Sequence, residues 1–245
     1  MNIEELFSGV GLVIDDKVHV TNEEDRITKI INLLENKNIP LIKRDSIPNQ
    51  EILEHCKNLN FILLDWELYS LTDEDGMPLP NSQIIEKENE NCIVDFLKRI
   101  LDKCFLPIFI FSNKSEESII NVLKEKRIIK DNISRPIFVK SKSDIVQDNN
   151  VLVFQKIEEW INAMPSIYVL KEWDRAFSNA KTNLFKELLA GDAYWPQVLW
   201  ETSTLDGVNA NEELAQVLTQ NILARMQPVQ FEKDKVIKEN IQSET

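Results

Sequence analysis

Phe61-Ile62-Leu63-Leu64-Asp65-Trp66-Glu67-Leu68 decides how the rest of the chain is read. Four apolar residues in succession, bounded by polar sequence, predict a strand buried on both faces of a parallel sheet. Asp65 stands where that strand ends. In open α/β sheets the ligand crevice lies outside the carboxyl ends of the strands, so a carboxylate there is placed for chemistry. Taken alone, Asp65 would read as a residue that ends the strand and faces water. Its neighbours in the fold give the stronger reading.

Upstream, Gly11-Leu12-Val13-Ile14 is a second short apolar run, and it ends on the paired carboxylates Asp15-Asp16. Asn22 offers an N-cap to a helix carrying Ile27, Ile30, Ile31 and Leu34 at helical spacing. Pro40-Leu41-Ile42 opens another strand, and Ile52, Leu53 and Cys56 suggest a short helix before the central strand. Downstream, residues 69 to 91 are rich in Asp, Glu, Asn and Pro and read as a long loop, which in a compact domain is functional or mobile. Ile93, Val94, Leu97, Ile100 and Leu101 then form a helix face. Pro107 to Phe111 is a fourth strand ending on Ser112, and Glu116 to Leu123 a fourth helix. Pro136-Ile137-Phe138-Val139 is a fifth strand closed by Lys140, and Val151 to Met164 a fifth helix. Strand and helix alternate five times, which predicts a parallel sheet covered on both faces.

Residues 165–228 change character. Trp173, Phe177, Ala180, Leu184 and Leu188 share one helical face before Gly191; Leu214, Val217, Leu218, Ile222 and Met226 share another before Pro228. This predicts an α-helical extension, with residues 229–245 a polar tail that frays. The stripes serve its core, self-association or a downstream effector.

A net charge of -13 argues against a nucleic-acid partner, which needs clustered cations. Cys56, Cys92 and Cys104 lack C-x-x-C spacing, which fits a reducing cytoplasm and no structural zinc. No apolar stretch nears the ~18 residues of a membrane span, and the start does not read as a signal peptide. The expectation is a soluble cytoplasmic protein with no membrane partner.

The expected strand ends therefore carry Asp15 and Asp16, Asp65, Ser112 and Lys140. Three carboxylates at one sheet edge raise each other's pKa, and a hard divalent cation relieves that repulsion. A lysine and a hydroxyl beside them suit the oxygens of a phosphoryl group.

This pattern resembles the receiver domain of two-component response regulators, over roughly Gly11 to Met164. The resemblance implies a flavodoxin-like five-stranded parallel sheet in the order 2-1-3-4-5, within a domain spanning residues 1–164. It implies that Asp65 is the phosphoacceptor, that Ser112 follows the phosphoryl group and that Lys140 pairs with it. Mg2+ would be held by Asp15, Asp16, Asp65 and the backbone carbonyl of Glu67. A sensor histidine kinase would be the partner in a phosphorelay, and the protein would not itself be an enzyme. The chain departs from the family at Ser141, Ile137 and Asn113. By the same resemblance, Glu67 and Lys114 would face each other across the pocket mouth. With its helical extension, the chain also resembles unusual receivers of some bacterial anti-phage defence operons. Two alternatives are an aspartyl-phosphate phosphohydrolase dependent on Mg2+, and a pseudo-receiver interaction module that is not phosphorylated. The first expects a D-x-D-x-T run where Asp15-Asp16-Lys17-Val18 stands.

Overall fold

A computed structural model of the chain describes residues 7–20, 22, 24–54, 56–69, 80–130, 136–147, 150–231 and 236. Contacts divide the chain into two compact units, residues 1–164 and 165–245.

The first unit holds five parallel strands: β1 (Val10–Ile14), β2 (Leu41–Arg44), β3 (Leu59–Leu64), β4 (Ile108–Ser112) and β5 (Ile137–Ser141). Their order is β2-β1-β3-β4-β5, the flavodoxin-like α/β arrangement. Ile14 is level with Leu64, and Leu64 with Ile110. The register therefore sets Asp15 and Asp65 side by side where β1 and β3 end, and the Asp65 amide bonds to the Ile14 carbonyl at 2.8 Å.

The helices are α1 (Arg26–Asn36), α2 (Gln50–Glu54), α3 (Ser82–Lys103), α4 (Glu116–Glu125), α5 (Lys142–Ile145) and α6 (Val153–Ala163). A small antiparallel hairpin, β6 (Val146–Gln147) and β7 (Asn150–Val151), joins α5 to α6 and was not foreseen. Side chains alternate across the sheet, since successive strand residues face opposite sides. Ile62, Leu64, Ile108 and Ile110 join a mostly aliphatic core with Ile93, Phe96 and Leu97 of α3 and Ile119 and Leu123 of α4. The intervening residues Phe61, Phe109 and Phe111 are aromatic. Phe7 meets Phe61 edge-on at 4.7 Å, and Trp160 of α6 packs on Phe109 and Phe138 at 5.8 and 5.5 Å. Each such ring pair contributes about 0.5–1.5 kcal/mol beyond its burial. Phe61 needs room beside β1, and Gly11 supplies it: a Cβ there would overlap the ring.

Two sequence readings change. The cap of α1 is Asp25, whose carboxylate accepts from the Ile27 amide, while Asn22 caps only the turn before it. Within residues 69–91, helix α3 already begins at Ser82. Residues 70–79 of the expected loop lie outside the described residues.

The second unit contains three helices, α7 (Pro165–Ala190), α8 (Trp195–Leu205) and α9 (Ala210–Arg225). Ala180 and Leu184 of α7 bury against Ile222 of α9, flanked by Phe177, Leu188, Leu218 and Met226. Arg225 closes that contact on Glu187 at 2.5 Å. The extension is helical as expected, with α8 an additional helix. Most of the polar tail falls outside the described residues. Among the described residues no helix is long and apolar enough to cross a membrane.

Candidate functional site

Asp15 and Asp65 are buried and make matching bonds. The Oδ1 of each accepts from the backbone amide two residues on, Lys17 at 2.9 Å and Glu67 at 3.1 Å. The Oδ2 of each accepts from one ammonium, that of Lys142, at 2.8 Å and 2.7 Å. These local turns are what Asp favours where a strand ends, because its short side chain reaches the amide two residues ahead. Asp16 completes a group whose potential ligand oxygens all lie within 4.8 Å of one another.

Burial dominates the electrostatics. It pushes the Asp65 carboxyl up to about 7; the Lys142 charge pulls the other way, and Asp15 adds to the rise. Asp16 is raised by its own burial and then by Asp15. Burial also disfavours the Lys142 ammonium, but Asp65 and Asp15 outweigh it and hold the lysine more firmly protonated than usual. The carboxylates thus already attract and retain a cation. Three carboxylates that draw in an ammonium fit a hard divalent ion, whose ligands are oxygens.

The structure does not bring Lys140 to this cluster. Its ammonium lies 2.8 Å from both oxygens of Glu116 on α4. Lys142, the first residue of α5, is the lysine at Asp65, and sequence reasoning missed it. Lys114 likewise does not face Glu67: it pairs with Glu86 and, at 3.7 Å, with Glu90, both on α3. Glu67 instead turns to the end of β4. Its Oε2 accepts from the Ser112 hydroxyl and from the Asn113 amide, each at 3.2 Å. Ser112 is fully buried.

Two further residues were missed. Asn89, buried on α3, bonds the backbone just beyond Asp65, donating to the Trp66 carbonyl at 2.6 Å. Arg26, at the start of α1, donates to Asn113 Oδ1 at 3.2 Å. Arg26, Asn113, Glu67, Asp16, Asp65 and Lys142 line a cavity of about 420 Å³ that opens at the carboxyl end of the sheet. A buried carboxylate and a buried ammonium bonded to each other beside a polar cavity can take a small anionic group carried on a cation.

No family model matches the chain, and no curated protein does.

Proposed function

We propose that the chain is a receiver-type signalling protein that takes a phosphoryl group on Asp65 from the phosphohistidine of a sensor kinase. The observation that carries this reading is the position of Asp65. It sits at the end of β3, bonded through Oδ2 to the Lys142 ammonium at 2.7 Å, and it lines the cavity.

In the proposed transfer, the Asp65 carboxylate attacks the phosphorus. An O–P bond forms as the P–N bond to the donor imidazole breaks; the electron pair stays on that nitrogen, which takes up a solvent proton. Burial makes Asp65 a stronger base, and hence a better nucleophile once ionised, than a surface carboxylate. The Glu67 amide holds its Oδ1 and fixes the direction of approach. Lys142 neutralises charge on the transferring oxygens, the role that the resemblance implied for Lys140. Asp15, Asp16, Asp65 and the Glu67 carbonyl would hold Mg2+, which supplies further positive charge against those oxygens when bound.

Residues 165–245 would carry the signal onward. They leave Tyr194, Val198, Trp200 and Leu205 exposed, apolar surface suited to an effector or to a second copy.

The test is incubation with acetyl phosphate and Mg2+, read by intact mass. Wild type is expected to gain the mass of one phosphoryl group and Asp65→Asn none. Unchanged wild-type mass overturns the proposal, and sustained turnover of p-nitrophenyl phosphate would replace it with a phosphohydrolase.

A further inference from the structure

Glu67 offers one carboxylate oxygen to two donors at the end of β4. The Ser112 hydroxyl and the Asn113 backbone amide both reach Oε2 at 3.2 Å. The Ser112 oxygen itself accepts from the Lys114 amide at 3.0 Å, which leaves its proton free to point at Glu67. A hydroxyl and a backbone amide converging on one oxygen form an anion cradle, the arrangement proteins use for an oxygen that carries charge. Here an internal anion fills it.

Four cations at this end of the sheet bond groups other than Glu67. Lys142 holds Asp15 and Asp65, Lys140 holds Glu116, Lys114 holds Glu86, and Arg26 bonds Asn113. Among the described residues no lysine or arginine pairs with Glu67, so its charge rests on two neutral donors. Such an occupant is displaceable. A phosphoryl group carries about -1.5 to -2 charges at neutral pH and offers three acceptor oxygens, so it competes for the same donors and repels the carboxylate that holds them.

We infer that Glu67 is a built-in occupant of the anion cradle: its carboxylate takes the Ser112 and Asn113 donors, and a phosphoryl group at Asp65 gains them only when Glu67 leaves. The consequence for phosphorylation rests on the receiver reading; the occupancy itself does not. Glu67 acts through those donors, as a positioning residue that sets how readily the site accepts an anion. Glu67→Ala empties the cradle. Glu67→Gln keeps an oxygen acceptor but removes the charge, and falls between the two.

The experiment uses the full chain and two readouts. In the Asp65→Asn background, which cannot be phosphorylated, inorganic phosphate is titrated with Mg2+ present while the Asn113 amide resonance is followed. Adding Glu67→Ala is expected to shift that resonance at about tenfold lower phosphate, the scale of hydrogen bonds to a charged group, with Glu67→Gln intermediate. In proteins that retain Asp65, Glu67→Ala is expected to speed phosphorylation by acetyl phosphate by a similar factor. Phosphate dependence that is the same with and without Glu67 overturns the occupancy, whether or not Asp65 is phosphorylated. Tighter phosphate binding in Glu67→Ala, with no phosphorylation of Asp65 in any protein, supports the occupancy and overturns the receiver reading instead.

Discussion

Asn89 holds the backbone that follows Asp65. Its Nδ2 donates to the Trp66 carbonyl at 2.6 Å, while its Oδ1 accepts from the Leu68 amide at 3.3 Å. One side chain on α3 thus bonds the main chain on either side of Glu67. Asn89→Ala strands a buried carbonyl and a buried amide, each costing about 1–3 kcal/mol when left without a partner. We expect a lower urea midpoint with an unchanged m-value, and slower phosphorylation of Asp65. Asn89→Asp sets a buried carboxylate oxygen against the Trp66 carbonyl and should recover none of the loss.

Lys140 of β5 and Lys142 of α5 should behave differently. Lys142→Met leaves Asp15 and Asp65 buried together without a cation, a loss of about 3–5 kcal/mol at pH 8. The pair that Lys140 makes with Glu116 is partly exposed, so Lys140→Met should change stability by about 1 kcal/mol or less. Denaturant titrations of the two variants separate these roles, and a larger loss for Lys140→Met would reverse the assignment.

The pH dependence follows from the direction of the Asp65 shift. Its folded pKa is raised from 3.8 to about 7, so the native state keeps a proton that the unfolded chain has released. The stability this group contributes is complete below its unfolded pKa and is lost as pH rises to about 7. Without divalent ions, wild type should therefore lose stability across that window through this group. Asp65→Asn should flatten that part of the profile in equilibrium unfolding.

Mg2+ should raise the melting temperature. A ligand that binds only the folded state adds about 2.7 kcal/mol at a hundred times its dissociation constant. Asp15→Asn, Asp16→Asn and Asp65→Asn should each reduce the gain. An equal gain in all three variants would place the ion elsewhere.

Trp66 is fully buried and adjoins Asp65. Binding of Mg2+ or beryllofluoride should change tryptophan fluorescence in wild type, and the change should vanish in Trp66→Phe. Persistence in that variant would assign it to one of the other tryptophans.

The sheet was legible because its strands are short apolar runs that end on polar residues, and the register then aligns Asp15 with Asp65 without further information. The lysine was not legible in the same way. Lys140 and Lys142 are two residues apart, so a period of two gives both the same face. Only the turn from β5 into α5 brings Lys142 to the carboxylates, and only the position of Glu116 draws Lys140 away. The start of α3 was hidden because Ser82 to Glu90 is mostly polar, with Ile84 exposed. Its decisive residue, Asn89, carries no periodic apolar signal. Glu67 was legible as a residue beside the pocket, but its turn toward Ser112 depends on packing that spacing does not encode.

The close approach of Phe61 to Gly11 also bears on ancestry. Adjacent strands admit a large ring at 61 only while position 11 lacks a side chain. The two positions should therefore change together among any descendants of a common ancestor, with a larger residue at 11 accompanied by a smaller one at 61. That paired drift is a mark of kinship that can outlast overall sequence identity.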